Sequence, residues 1–236
     1  MKRHIPNALT CANLLCGCVG IVEVFHNNML LSCALMGLAA VFDFFDGFAA
    51  RLLRVSSEIG KELDSLADMT TFGVLPAIII YQLLMRSVPD LADIWIPNLA
   101  FLIAVCSALR LAKFNIDPRQ SDSFIGVPTP ANGLLIASFP FIIEFYPAWE
   151  SVIVNTTNLL IFTGVMSFLM ISELPLFALK FKSFGWKGNE IRYLFLLVSA
   201  VLVLFLNFLA VPMIIGLYIL LSAGLWISTR NTAKSS

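Results

Sequence analysis

The chain is predicted to be all-α: a polytopic membrane helical bundle of about eight transmembrane helices, forming a single integral membrane domain over 1–236. Three observations predict it. Its residues are 59% hydrophobic and only 13% charged, outside the usual range of soluble domains. The apolar residues come in long unbroken runs, each near the roughly 20 residues that a helix needs to cross hydrocarbon. The basic residues fall almost entirely on alternate connections between those runs, the asymmetry that orients membrane proteins.

The first run, 9–26, lacks a small-residue cleavage site and leads into a second, 30–49, so it reads as a span and not as a cleaved leader. The second run ends and the third, 63–84, begins within "DFFDGFAARLLRVSSEIGKELDSLAD", residues 43–68. That connection is short, so the two spans must run antiparallel. A fourth run, 94–113, ends at Arg110 and Lys113. In the connection that follows, about 114–130, Pro118, Pro128 and Pro130 forbid a continuous helix before the fifth and sixth runs, 131–148 and 152–173. The connection at about 174–192 interleaves Phe177, Phe181, Phe184 and Trp186 with lysines, as an interfacial segment or a simple basic loop would. The last two runs, 193–209 and 212–228, are short.

Net charge is zero, so the total says nothing of partners, and no nucleic-acid partner is expected. Placement is informative instead. Lys2, Arg3, Arg51, Arg54, Lys61, Arg110, Lys113, Arg119, Lys180, Lys182, Lys187, Arg192, Arg230 and Lys234 all fall on one side of the eight-span arrangement, leaving Arg86 alone on the other with Asp90, Asp93, Glu144 and Glu150. Both termini and residues 43–68 are therefore expected in the cytoplasm. Cys11, Cys16, Cys18, Cys33 and Cys106 lack the paired spacing of a zinc site and read as packing residues. Gly17, Gly20, Gly37, Gly133, Gly164 and Gly216 read as places where helices approach closely.

The aspartates demand a different explanation, because carboxylates in hydrocarbon are costly and repel one another when clustered. Asp43, Asp46, Gly47, Ala50 and Arg51 share one helical face at the inner end of the second span, and Gly60, Asp64 and Asp68 share one face where the third begins. Antiparallel packing lets all four carboxylates converge. Oxygen ligands without sulfur or imidazole suit Mg²⁺ or Mn²⁺, or Ca²⁺ in a larger cavity. Four carboxylates balance two such ions, and two ions about 4 Å apart clamp a phosphate undergoing in-line displacement. The small residues Gly47, Ala50 and Gly60 would let a bulky group reach the backbone.

The order Asp43, Asp46-Gly47, Ala50-Arg51, Gly60, Asp64, Asp68 resembles, at every fixed position, the signature of the CDP-alcohol phosphatidyltransferase family. "IPNALTCANLLCG", "LDSLADMTTFGVLPA", "ALRLAKFN" and "FIGVPTPAN" are similar to the branch of that family whose acceptor is serine. The resemblance covers about 5–185 and implies a six-helix catalytic core there, with two further spans at about 193–228. It implies transfer of a phosphatidyl group from CDP-diacylglycerol to the hydroxyl of L-serine, giving phosphatidylserine and CMP. Asp43, Asp46, Asp64 and Asp68 would hold two metal ions, with Asp68 as general base beside Asp43 and Asp64. Gly47, Ala50, Arg51 and Gly60 would meet the CDP-lipid. Asn13 would join them or, as buried asparagines more often do, pair between helices. Glu173 would contact a substrate or pair with a lysine. Serine carries a free carboxylate, for which Arg110 and Lys113 are the candidate partners, Arg110 the better for its planar fork. The family also implies a homodimer, here in the cell (inner) membrane. Two other readings stay open: the same donor with glycerol phosphate or inositol phosphate as acceptor, and a divalent-cation transporter.

Overall fold

The computed structural model describes residues 4–55, 57–88, 93, 95–117, 124–177, 185–186 and 189–232, with side chains as far as 227. Ser56, Asp90, Pro118, Arg119 and the lysines at 180, 182 and 187 lie outside the described residues, as do Phe181 and Phe184.

Helices α1 (His4–Phe25) and α2 (Met29–Leu53) form an extensive pair. Their reversal uses Asn27 at φ 59 and Asn28, whose side-chain oxygen accepts from the Leu31 amide as an N-cap. At the other end of α2, Arg54 adopts the left-handed conformation and its amide returns to the last turn. The third span is one helix through three segments: α3 (Glu58–Asp68), a π-helical stretch Met69–Val74, and α4 (Leu75–Ser87). It starts before the apolar run because Ser57 caps it, its hydroxyl accepting from the Gly60 amide at 3.0 Å. A 3₁₀ turn Ile96–Phe101 leads into α5 (Leu102–Ile116).

After the fourth span come strand β1 (Phe124–Ile125), α6 (Thr129–Phe145), the short α7 (Glu150–Ile153) and α8 (Thr156–Ile171). Pro130 opens α6 instead of breaking it, since a proline in the first turn forfeits no helical hydrogen bond. The predicted fifth span extends to 148, but α6 stops at Phe145. Pro147 disfavours a helical backbone at Tyr146, which stands at φ −135 and ψ 70, and the chain turns through 118° there. Strand β2 (Pro175–Leu176) pairs antiparallel with β1, Phe124 opposite Leu176 and Ile125 opposite Pro175.

The final stretch, Glu190–Ile227, is long and apolar enough to cross a membrane, yet it is not one rod. Asn207, at φ 46 and ψ −117, separates α9 (Glu190–Leu206) from α10 (Ala210–Thr232). Phe195 and Tyr218 have ring centroids 5.7 Å apart, whereas a continuous helix would separate them by roughly 34 Å. The two helices therefore form a hairpin. Among the described residues, four other helices reach membrane length and apolarity, the bent Thr129–Ile153 pair can make one more, and Thr156–Ile171 is a shorter apolar helix.

The third span is the centre of the bundle. More than half of its apolar window is buried (56%), against 11% for the α9–α10 stretch at the periphery. Phe72, Leu75, Ile79, Ile80, Leu83 and Leu84 are fully enclosed. Around it, close approach depends on absent side chains: a Cβ at Gly17 of α1 would collide with the Thr71 hydroxyl, one at Gly133 of α6 would lie 3.2 Å from Phe72, and one at Gly73 would lie 3.0 Å from Ser107. Gly37, Gly164 and Gly216 correct the expectation for their kind, for nothing lies within 4 Å of a Cβ added to any of them. Gly164 is exposed and the other two are half-buried, each with open space where a side chain would stand. On the side opposite the aspartates, Arg86 pairs with Glu150 at 3.0 Å, so the one exception to the charge asymmetry has an acidic partner.

The packing makes Gly17 costly to change. Gly17→Ala should lower stability by about 1–3 kcal/mol, the usual scale of overpacking, read as a lower melting temperature of the purified protein in detergent. Gly164→Ala, placed in open space, should leave that temperature unchanged or raise it.

Candidate active site

Three helices build the site at one end of the bundle. α2 carries Asp43, Asp46, Gly47 and Ala50; α3 carries Gly60, Asp64 and, at its last residue, Asp68; α1 lies against both. One carboxylate oxygen from each of Asp43, Asp64 and Asp68 lies within 4.8 Å of the others. Asp46 stands beside this trio and is fixed separately, its Oδ2 accepting a 2.6 Å hydrogen bond from the Thr10 hydroxyl. Asp46 and Asp68 are buried. The Asn13 amide reaches Asp68 Oδ1 at 3.4 Å while the Asn13 backbone carbonyl accepts from Thr71 at 3.2 Å. The Oδ1 atoms of Asp64 and Asn13 are buried without a hydrogen-bonding partner among the described residues.

Three carboxylates this close, one buried and two half-buried, form an arrangement that a cation relieves. The donors are all oxygen, which fits a hard divalent ion and not a thiolate- or imidazole-seeking one. The residues present thus fit the metal that the sequence implies.

Beside the trio opens a cavity of about 210 Å³ whose walls include Thr10, Asp46, Gly47, Ala50, Gly60 and Asp64. At Gly47 the backbone is bare to the cavity, with nothing within 4 Å of an added Cβ. Gly60 is different: a Cβ there would meet the Ser57 hydroxyl at 2.8 Å and Asn7 at 3.1 Å. Of the residues expected around the donor, Gly47, Ala50 and Gly60 line this cavity; Arg51 is exposed and is not among its lining. Lys61 lines it instead, with its ammonium donating to the Asn115 carbonyl at 3.0 Å.

Arg110 lies on another side of Asp68. It is 5% exposed, donates from Nη1 to the Thr129 hydroxyl at 3.3 Å, and rests 5.8 Å from the Phe114 ring centre. Its Nε has no partner among the described residues. A small second cavity is lined by Arg110, Lys113, Asp117, Ile125, Ser172 and Glu173. Lys113 itself is exposed. One turn beyond Thr129, Asn132 is fully buried, and neither end of its amide has a partner among the described residues.

Sequence reasoning misses Asn7, Thr10, Lys61, Thr129 and Asn132 as site residues. Asn7, Thr10 and Asn13 recur every three residues from just before the first apolar run into it, a polar stripe that could have found them. Lys61 carries no such signal, since it counts equally well as a charge that fixes topology.

A helical membrane bundle with an all-oxygen carboxylate cluster beside a cavity at one end fits a class of membrane-embedded enzymes that act on phosphate groups. The chain belongs to the CDP-alcohol phosphatidyltransferase family, whose model matches residues 3–228. It is 34% identical over 174 residues to the CDP-diacylglycerol–serine O-phosphatidyltransferase of Bacillus subtilis (strain 168), covering 73% of this chain and 89% of that protein. It is 31% identical over 227 residues to the enzyme of the same name from Helicobacter pylori strain J99, covering 94% of this chain and 90% of that one. A third, from Methanocaldococcus jannaschii, is 34% identical over 142 residues, 60% of this chain and 63% of its own. Membership places the chain among the integral membrane transferases of phospholipid biosynthesis and sets the transporter reading aside.

Gly47→Leu tests the cavity. With open space around Cβ and leucine a better helix former than glycine by up to about 1 kcal/mol, the variant should fold at least as stably as the parent, judged by thermal unfolding. Its release of CMP from CDP-diacylglycerol should nevertheless fall to background, because the new side chain occupies the cavity.

Proposed function

We propose that this chain transfers the phosphatidyl group of CDP-diacylglycerol to the hydroxyl of L-serine, forming phosphatidylserine and CMP in a reaction that depends on a divalent metal. The observation that carries the reading is the carboxylate trio of Asp43, Asp64 and Asp68, placed between a glycine-walled cavity on one side and the buried Arg110 on the other. The names of the relatives support serine as acceptor.

Asp43, Asp64 and Asp68, with Asp46 beside them, would hold Mg²⁺ or Mn²⁺. When bound, such ions offset the charge of the pyrophosphate and of the departing CMP. The remaining work falls to the chain. The bare backbone at Gly47 and Ala50, with Gly60 opposite, admits the cytidine and pyrophosphate, and Lys61 meets phosphate charge at the cavity wall. Thr10 holds Asp46, and Asn13 orients Asp68 by donating to Oδ1. Asp68 takes the proton of the acceptor hydroxyl on a carboxylate oxygen as the hydroxyl oxygen bonds to the phosphatidyl phosphorus. The bridging P–O bond breaks, and CMP leaves with the electron pair. Arg110 receives the carboxylate of serine, for which its Nε, without a partner among the described residues, is available. Serine differs from neutral alcohols in carrying that carboxylate, and a buried guanidinium discriminates by charge as well as by shape.

Lys113 lies one helical turn from Arg110, lines the same small cavity and adds positive charge beside it. The basic residues of the connections support a cytoplasmic site and cytoplasmic termini in the cell (inner) membrane, where soluble serine and nucleotide are at hand. The functional unit in this reading is a homodimer, with a single membrane domain per chain.

Two expectations test the reading. Asp43→Asn and Asp64→Asn should each abolish CMP release while leaving the protein inserted and monodisperse; substantial turnover in either at ordinary Mg²⁺ or Mn²⁺ would refute metal-assisted catalysis here. Arg110→Gln should raise the KM for serine by about tenfold or more, the scale of one charge-assisted contact, with the KM for CDP-diacylglycerol little changed. Equal weakening of both substrates would assign Arg110 to the phosphates.

A further inference from the structure

The α9–α10 hairpin stands outside the helices that carry the aspartates and most of its surface faces outward, yet it is tied by hydrogen bonds to the connection that closes the Arg110 cavity. The tie is local and specific. The Tyr218 hydroxyl of α10 donates to the Phe177 carbonyl at 2.8 Å. The Ser222 hydroxyl, one turn on and 1% exposed, accepts from the Phe177 amide at 3.4 Å and donates to the Tyr218 carbonyl at 2.7 Å. Both backbone polar groups of Phe177 are thereby held by α10. Its ring packs against Phe195 and Tyr218, with centroids 5.7 and 4.8 Å away.

Phe177 immediately follows β2, and β2 is the partner of β1. The Gly126 amide donates to the Leu174 carbonyl at 2.9 Å and the Val127 amide to the Leu169 carbonyl at 3.1 Å. Gly126 sits at φ +73, and a Cβ there would run into the carbonyl oxygen of Met170, so the two connections meet backbone to backbone. Ile125 of β1 and Ser172 and Glu173 before β2 line the cavity at Arg110. Two residues beyond Val127, Thr129 accepts the hydrogen bond of Arg110 itself. A continuous set of contacts thus runs from Tyr218 through Phe177 and the strand pair to the guanidinium.

We infer that Tyr218 and Ser222 are positioning residues for the acceptor: they hold the β1–β2 pair in place as the roof of the Arg110 cavity and set the affinity for serine without touching either substrate. The inference rests on the reading of Arg110 as the acceptor's partner. Two short strands of two residues each cannot hold themselves in register, and among the described residues the side-chain anchors on the Phe177 backbone come from α10.

Tyr218→Phe and Ser222→Ala test it in the purified full-length protein with CDP-diacylglycerol, serine and Mg²⁺ or Mn²⁺. Both changes keep the apolar volume of the hairpin nearly intact. The KM for serine should rise about three- to tenfold, the scale of one hydrogen bond, with the KM for CDP-diacylglycerol and kcat close to the parent's. The amides of Gly126 and Val127 should exchange with deuterium faster in both variants. Parallel loss of affinity for both substrates would show a general loosening of the bundle and overturn the inference. So would an unchanged KM for serine, whether or not the two amides exchange faster. Arg110→Gln in the same assay separates the two levels: if it raises the KM for serine and the hairpin variants do not, only the positioning role fails; if it has no effect on serine, the acceptor reading fails.

Discussion

Mutual repulsion among carboxylates is the constraint around which this bundle is built. Asp43, Asp64 and Asp68 cannot drift apart, because α2 and α3 are fixed by the helices around them, and Asp68 is buried while Asp43 and Asp64 are half-buried. The third span secures this arrangement. It is enclosed by α1, α5 and α6 and is brought close to each by a position lacking a side chain: Gly17 against Thr71, Gly73 against Ser107, Gly133 against Phe72. Such contacts supply dispersion energy without a hydrophobic contrast, which is scarce between helices in lipid. The membrane core and the acidic site are thus two ends of one packed helix.

The polar groups around the trio divide the space by what each can recognise. On the α1 side, Thr10 and Asn13 donate to the carboxylates and so fix their orientation. Toward Gly47 the wall is backbone and small side chains, suited to a large flat group. Toward α5 the wall is a guanidinium whose hydrogen-bonding capacity is only partly used among the described residues. In the proposed reading, donor and acceptor approach these carboxylates from different sides.

Local spacing makes the aspartate site legible in the sequence itself. Asp43 and Asp46 at i and i+3, and Gly60, Asp64 and Asp68 at i+4 intervals, fix which face each residue occupies from helix geometry alone. The long apolar runs likewise announce the helices, and Pro147 marks where the fifth turns. What stays hidden depends on contacts between distant segments. Asp46 belongs with Thr10, 36 residues away, and no periodicity links them. Gly17 and Gly164 look alike in sequence, yet one meets Thr71 and the other has open space beside it. Lys61 and Arg51 are both basic residues near a helix end, and only packing decides that Lys61 faces the cavity. The pairing of β1 with β2 joins two connections whose composition signals nothing more than turns.

The π-helical stretch Met69–Val74 begins at the residue after Asp68, and it acts as a phase adjuster between chemistry and packing. A π turn accommodates one residue more than an α turn, so everything beyond it is rotated relative to an uninterrupted helix by about 100°, the angle of a single residue. Upstream, Asp64 and Asp68 keep the orientation that meets α2; downstream, Leu75, Ile79 and Leu83 keep the orientation that fills the core. Were the helix regular throughout, one of these faces would turn away from its partners. The extra residue lets the acidic end and the apolar end of one helix be optimised independently, and it makes the number of residues between Asp68 and Leu75 as consequential as their identities.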